Sequence, residues 1–317
     1  MFIITHDDIA NLDMPFNVMY DWVCDDIKHK NEAVLRPKIS LKVGHEGFYN
    51  TMPALLPNLG CFGVKVVSRY PERFPALDSQ ILLYDLETGD LLALMDGNYI
   101  TTMRTGLVAA HSLLLFGKAQ FDTVAFIGLG NTARATLASL LAITGDRHFN
   151  IRLLRYKDQH DSFIRRFAAY QDRIDIEIYD DIDTLVHDAT TIVSSLTYTD
   201  DVFCPVTAYA PGCTIIPIHT RGFQNCDPVF DKIYADDRGH VEGFQHFGDF
   251  RSFAEVADVV NGVAPGRENS SERILVYNIG IALHDISFAA HLYQQIQEHG
   301  LKHDAVTLNN LHSKFWA

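Results

Sequence analysis

Positive charge is scarce in this chain. Its 317 residues carry 26 Lys and Arg against 40 Asp and Glu, a formal net charge of −14. A surface of that sign repels a phosphate backbone instead of displacing its counterions, which excludes nucleic acid as a partner. Long apolar runs are also missing. None reaches the ~18–20 residues that span a bilayer, so no membrane partner is expected. The opening Met1-Phe2-Ile3-Ile4-Thr5-His6-Asp7-Asp8 lacks the basic region and small-residue cleavage site of a signal peptide. Cysteine is sparse and odd in number: Cys24, Cys61, Cys204, Cys213 and Cys226, with no CxxC pair. That usage fits free thiols in a reducing compartment, and a cytoplasmic location is the expectation. The sequon at Asn269 then carries no sugar. His240 and His246 have no second His/Cys cluster at ligand spacing, so no metal is expected. A G-x-S-x-G nucleophile motif is absent.

What is present is enough apolar mass, 47% of residues with 20 Phe, to bury a large core in about two domains. Spaced apolar residues from Ile9 to Ile27 predict a helix over 6–30, and Pro37 precedes an alternating strand, Lys38–Val43. Further strands are read at Tyr49–Leu56 and Gly63–Val67, then a hairpin at Ile81–Asp85 and Leu91–Met95 turning at Gly89. Met95-Asp96-Gly97 leads into a helix at about 99–117. From Thr123 onward strands and helices alternate, the pattern of βαβ units with a parallel sheet. A last long helix is read at Ile281–Glu298.

Val124–Ile127 runs into Gly128-Leu129-Gly130-Asn131-Thr132-Ala133, a G-x-G-x-x-A turn between strand and helix. Gly128 makes the tight turn, Gly130 lets backbone approach a pyrophosphate, and Ala133 permits close helix–strand packing. Asn131 and Thr132 open the helix, whose N–H groups face an anion. The next strand ends Leu154-Arg155-Tyr156-Lys157-Asp158. The acid that takes the ribose hydroxyls of NAD is replaced by basic and aromatic residues. Arg155 and Lys157 suit a 2′-phosphate, so NADP(H) is the expected cofactor, while Asp158 leaves NAD open.

With that turn placed, the stretches Arg36–Leu41, Asn50–Pro53, Gly63–Val67 and Asp96–Gly106 resemble, in order and spacing, the ornithine cyclodeaminase/μ-crystallin family. Val263–Glu268 and Asn278–Asp285 are similar as well. The resemblance implies an α/β fold: a Rossmann-type doubly wound parallel sheet at 117–284, plus a strand-rich α+β substrate and dimerisation domain at 1–116 and about 285–317. It also implies a homodimer acting on a small amino-acid or imine substrate.

Three cations of the first domain stand out, each inside one of these motifs. The positions matching Lys38, Lys65 and Arg104 bind the substrate carboxylate in the family, and Arg grips such a group bidentately. The residue at Lys65 is also placed near the reacting carbon, where a lysine moves a proton. Lys65 stands between Val64 and Val66 in a strand, an odd place for a charge unless its partner is a ligand. Met52 is expected to line the pocket, and Asp96 either to organise the turn before Arg104 or to cap the hairpin. Thr105 resembles a residue that reaches the cofactor phosphates. Ser195 and Thr197 follow the fourth Rossmann strand, where such folds touch the ribose and nicotinamide.

One departure bears on the reaction. Ornithine cyclodeaminases carry an Asp, taken as a base, after the strand at Thr214–Ile218. Here the segment is His219-Thr220-Arg221-Gly222-Phe223-Gln224-Asn225-Cys226-Asp227, and Arg221 falls against that Asp. A guanidinium is no base near neutral pH. Asp227 is a substitute, His219 with an ordinary pKa near ~6.5 is a candidate proton shuttle, and Arg221 is a candidate for a second carboxylate. The expected reaction is therefore NAD(P)-dependent hydride transfer at Cα of an amino acid or its imine. The alternatives are an ornithine cyclodeaminase-type ammonia lyase, a diaminopropionate-pathway dehydrogenase, and a non-catalytic NADPH-dependent binder.

Overall fold

A computed structural model describes residues 1–196, 199, 201–300 and 304–306. In chain order the first elements are β1 (Phe2–Ile4), α1 (His6–Ala10), α2 (Phe16–Lys28), β2 (Val34–Leu35), β3 (Ile39–Val43), β4 (Gly47–Leu56), β5 (Cys61–Arg69), β6 (Leu77–Asp85), β7 (Leu91–Asp96) and α3 (Gly97–Phe116). There follow β8 (Thr123–Ile127), α4 (Asn131–Ile143), β9 (Phe149–Leu154), α5 (Gln159–Arg166), β10 (Ile174–Tyr179), α6 (Ile182–Val186), β11 (Thr191–Ser194) and β12 (Thr214–Pro217). The last are β13 (Lys232–Ala235), β14 (Phe253–Glu255), α7 (Val256–Val260), β15 (Ile274–Tyr277), α8 (Ala282–His299) and β16 (Asp304–Ala305).

The chain divides into two units. The first takes Met1–Pro15, Lys30–Thr101 and the described residues from Ile281 on; the second takes Phe16–His29 and Thr102–Gly280. The division runs inside α3, instead of after residue 116, and α2 goes with the second unit. The reason for the latter is packing: α2 buries Met19, Val23 and Ile27 and lies against α4 and α7. The helix read over 6–30 is two helices. Asp13 adopts φ +46 and Pro15 follows, and neither continues an α-helix.

In the first unit the strands lie in the order β16-β1-β7-β6-β5-β4-β2, with β3 also on β4. Pairing is antiparallel except between β1 and β7. α8 packs on β4, β5 and β6. It comes close at Gly63 of β5, where a Cβ would stand 2.7 Å from Ile286 Cδ1. Cys61, Gly63 and Lys65 are the buried alternate positions of β5, so they share the face that α8 covers.

In the second unit the order is β10-β9-β8-β11-β12-β15-β13-β14, all parallel. Every residue of β8, β11, β12, β13 and β15 is buried, as expected of strands covered on both faces. β8 lies between β9 and β11, so the connections diverge there. That is the topological switch point where open α/β sheets take their ligands.

Candidate functional site

The first unit carries Lys38, Met52 and Lys65. Strand register sets Met52 of β4 opposite Lys65 of β5, and Lys65 opposite Ile81 of β6. Ile39 of β3 pairs with Thr51, and Lys38 is the half-buried residue just before that strand. Directly opposed residues of an antiparallel pair share a face, which brings Met52 beside Lys65. Lys65 is 1% exposed. A lysine so enclosed requires an anion, and the sequence suggested a ligand. The structure supplies a protein partner: Lys65 Nζ is 2.7 Å from Asp285 Oδ2, in the first turn of α8, and Asp285 is fully buried. Lys65 Nζ also donates to Thr101 Oγ1 at 3.4 Å.

The support continues outward. Thr101 Oγ1 is 3.3 Å from Ser79 Oγ, and Asn98 Oδ1 accepts from Ser79 N at 2.9 Å. Asp96 Oδ1 accepts from Tyr99 N at 3.0 Å, so Asp96 caps the start of α3 instead of the hairpin. The run Asp96–Thr101 is thus the brace of Lys65. Sequence reasoning missed Asp285, which entered only as the last residue of the stretch Asn278–Asp285. The usable signal was an acid among Leu283, Ile286, Phe288 and Ala289, where only a partnered charge survives burial.

The second unit carries the G-x-G-x-x-A turn. Gly128 turns with φ +89 at the end of β8. Ser195 N donates to Ile127 O at 2.8 Å, and Ser195 Oγ to Gly128 O at 3.2 Å, pinning the turn from β11. Gly130 caps α4 with no side-chain hydrogen bond, and a Cβ there would meet nothing within 4 Å. Asn131 is exposed, Thr132 half-buried, and Ala133 fully buried against the sheet. Arg134 braces the arrangement: its Nε donates to Leu129 O at 3.2 Å and its Nη2 to Ser162 Oγ at 2.6 Å. Open N–H groups at the switch point fit a dinucleotide pyrophosphate. Gly106 lets α3 approach α4, since a Cβ would stand 2.5 Å from Ala135; Arg104 and Thr105, both buried, are carried in by that approach.

At the end of β9, Arg155 Nε is 2.5 Å from Asp180 Oδ1, and its Nη1 is 3.1 Å from His160 Nε2. Lys157 takes φ +49 with its ammonium 5.2 Å from the Tyr156 ring centroid. Beyond β12 the predicted residues separate. Arg221 is exposed. His219 Nε2 is 2.6 Å from Ser194 Oγ, and burial pushes its pKa down to about 4. The ordinary value expected for a shuttle does not hold, because the ring is desolvated and neutral at pH 7. Asp227 is 1% exposed, accepts from the Tyr277 hydroxyl at 2.7 Å, and is pushed up to about 6 by burial. Thr197 lies outside the described residues. Among the described residues no group of His, Cys, Asp and Glu has the makings of a metal site, and no helix is long and apolar enough to cross a membrane.

The family model of the ornithine cyclodeaminase/mu-crystallin family matches residues 14–216. The chain belongs to that family. His219, Arg221, Asp227 and Asp285 lie beyond the matched stretch. The chain is similar to a Δ1-pyrroline-2-carboxylate reductase of Bacillus cereus, 26% identical, covering 79% of this chain and 82% of that protein. In fold it is similar to the Δ1-pyrroline-2-carboxylate reductase of Thermococcus litoralis, solved with NADH and L-proline: TM-score 0.84, 22% identity, 96% of this chain and all of that one. It is also similar to an archaeal alanine dehydrogenase dimer with bound NAD: TM-score 0.83, 19% identity, 98% of this chain and 99% of that one. These neighbours bear out the Rossmann-type α/β fold.

Proposed function

We propose that this member of the family is an NADP(H)-dependent oxidoreductase working at Cα of a small amino acid or its imine, with cyclic imino acids as the first class to test. The observation that carries the reading is Lys65, a fully enclosed cation opposite Met52 on a paired strand. Gly128, Gly130, Asn131, Thr132 and Ala133 would hold the pyrophosphate, with Thr105 and Ser195 beside them, and the nicotinamide when bound supplies or takes the hydride. Lys38, Lys65 and Arg104 hold the substrate carboxylate. Lys65 moves the proton at the substrate nitrogen, and the ion pair with Asp285 keeps its ammonium in one place. Arg221 is the candidate for a second carboxylate.

The segment after β12 supports the redox reading over cyclodeamination. It puts Arg221, exposed and no base near neutral pH, where the cyclodeaminases carry their Asp, encloses Asp227, and holds His219 neutral. Arg155 and Lys157, at the position where an acid would take the ribose, support the 2′-phosphate. A homodimer is part of the same reading. Ile39 and Leu41 of β3 are 60% and 64% exposed on a sheet edge, and such apolar edges need cover. The related alanine dehydrogenase is a dimer. Light scattering giving a monomer at micromolar concentration would remove that part.

The test is turnover of a panel of cyclic imino acids, 2-oxo acids with ammonia, and amino acids, with NADPH and NADH in parallel. Net cofactor oxidation with an imino acid is expected, with lower KM for NADPH. Ammonia released from ornithine with no net change in cofactor would put the cyclodeaminase in its place. Cofactor binding without turnover of any panel member would leave only a binder.

A further inference from the structure

Within the stretch 278–285, Gly280 ends the second unit, Ile281 opens the last part of the first, and Asp285 is the partner of Lys65. We propose that this segment positions both principal cations: Gly280 seats the Arg104 guanidinium, and Asp285 fixes the Lys65 ammonium. The inference rests on the reading of Lys65 and Arg104 given above; it adds Gly280 and gives Asp285 a testable positioning role, and neither residue need touch the substrate.

Within the second unit, Gly280 has φ +94. A Cβ built there would stand 2.8 Å from Arg104 Nη1, 3.1 Å from Nη2 and 3.4 Å from Cζ. Three atoms of one guanidinium at those distances mean that the group lies against the glycine itself. Its backbone is fixed in turn, because Gly280 N donates to Asp236 Oδ2. Asp236 is buried, and His240 Nδ1 lies 3.4 Å from its Oδ1. The glycine is therefore a held surface for Arg104 to rest on.

Within the first unit, the chain enters α8 at Ala282 with Ile281 as its cap. Asp285 follows in the first turn, where the helix dipole favours a carboxylate. It meets Lys65 Nζ at 2.7 Å, with both side chains nearly or wholly buried. Gly63, two residues before Lys65, admits α8 to this depth. A site that grips a planar carboxylate needs its cations held to within about half an ångström, and packed elements do this better than loops.

The experiment uses the full-length protein and whichever imino or 2-oxo acid of the panel is turned over best with NADPH. Far-UV circular dichroism and NADPH affinity serve as fold controls. Gly280→Ala should raise KM for the acid about tenfold or more, with a smaller effect on kcat and unchanged NADPH affinity. Combined with Arg104→Lys, it should add little to the loss that Arg104→Lys causes alone, because both changes act on one guanidinium. Losses that multiply would show that Gly280 acts only through backbone strain and would overturn its part. Asp285→Asn should lower kcat about tenfold or more. Should that variant fail to fold, Asp285→Glu decides: it keeps the charge but advances it by one methylene, so kcat should fall in a folded protein. A folded Asp285→Glu with parental kcat would overturn the role of Asp285. If Lys65→Ala and Arg104→Ala keep parental turnover, or if no panel acid is turned over at all, the underlying reading falls and this inference with it. If those two lose turnover while Gly280→Ala and Asp285→Glu do not, this inference alone is lost.

Discussion

Two places in this protein enclose a charge-bearing side chain and treat it differently. In the first unit Lys65 is buried against Asp285, charge against charge at 2.7 Å. In the second, Asp227 is buried against the Tyr277 hydroxyl and pushed up to about 6, while His219 sits against the Ser194 hydroxyl and is pushed down to about 4. A buried ion pair offsets the cost of dehydrating each member. A hydroxyl offsets less, so Asp227 and His219 drift toward their neutral forms. The first arrangement suits a residue that must meet an anion with its charge intact. The second suits a packed interior.

The largest expected effect comes from breaking the ion pair. Lys65→Ala leaves Asp285 buried without its cation and should cost about 3–5 kcal/mol of stability, the usual penalty for removing one member of a buried pair. Lys65→Met with Asp285→Leu should recover much of that loss, since apolar residues of similar volume often replace such pairs at little cost. Both would lack turnover. Urea unfolding is the measurement. A loss below about 1 kcal/mol for Lys65→Ala would place the pair in a far wetter setting than its burial indicates.

Next in size is a pH effect with opposite signs in two variants. The Asp227 carboxyl goes from an ordinary 3.8 to about 6 on folding, so between those values the folded protein holds a proton that the unfolded chain has lost. Stability therefore falls as pH rises through about 4 to 6, by about 3 kcal/mol in total. His219 goes the other way, from 6.5 to about 4. There the unfolded chain binds the proton that the folded protein refuses, and stability rises with pH from about 4 to 6.5. The two slopes oppose each other in the parent. Asp227→Asn should gain stability relative to the parent as pH rises from 4 to 7, and His219→Gln should lose it. Thermal midpoints at several pH values give both differences. Parallel curves for the two variants would erase the contrast between Lys65 and these residues.

Much of this was legible in the sequence. The G-x-G-x-x-A turn and the parallel second unit follow from local pattern, and Lys65 stood out as a charge inside an apolar strand, while Arg104 was singled out by the family resemblance of its motif. The partner of Lys65 was not legible, because Asp285 lies 220 positions away in the chain and only the packing of α8 on β5 brings it there. Periodicity reveals that a side chain is buried but not what it is buried against. The break of the 6–30 helix at Asp13 and Pro15 was written in the residues and was overridden by apolar spacing that continues on both sides. Gly106 and Gly280 look alike in sequence to any turn glycine. Only the atoms that a Cβ would strike, Ala135 in one case and Arg104 in the other, distinguish helix packing from the seating of a cation. The residues after β12 were read by analogy with a family segment, and their burial could not be read that way at all.

The smallest effect sharpens the comparison by keeping the ion pair and removing the burial. Arg155 and Asp180 are 2.5 Å apart against 2.7 Å for Lys65 and Asp285, but their side chains are 46% and 77% exposed. Water screens such a pair and both side chains pay entropy to hold it, so Arg155→Ala should shift stability by no more than about 1 kcal/mol. Its consequence should be in the cofactor instead. A 2′-phosphate would exchange one exposed anion, Asp180, for another of higher charge, so Arg155→Ala with Lys157→Ala should weaken NADPH about tenfold while NADH is little changed. Fluorescence titration with the two nucleotides reads the ratio. A double variant that binds both as the parent does would return Arg155 and Lys157 to the solvated strand-end charges they resemble. Separation alone would then have been a poor guide to what an ion pair is for, with burial deciding in both units.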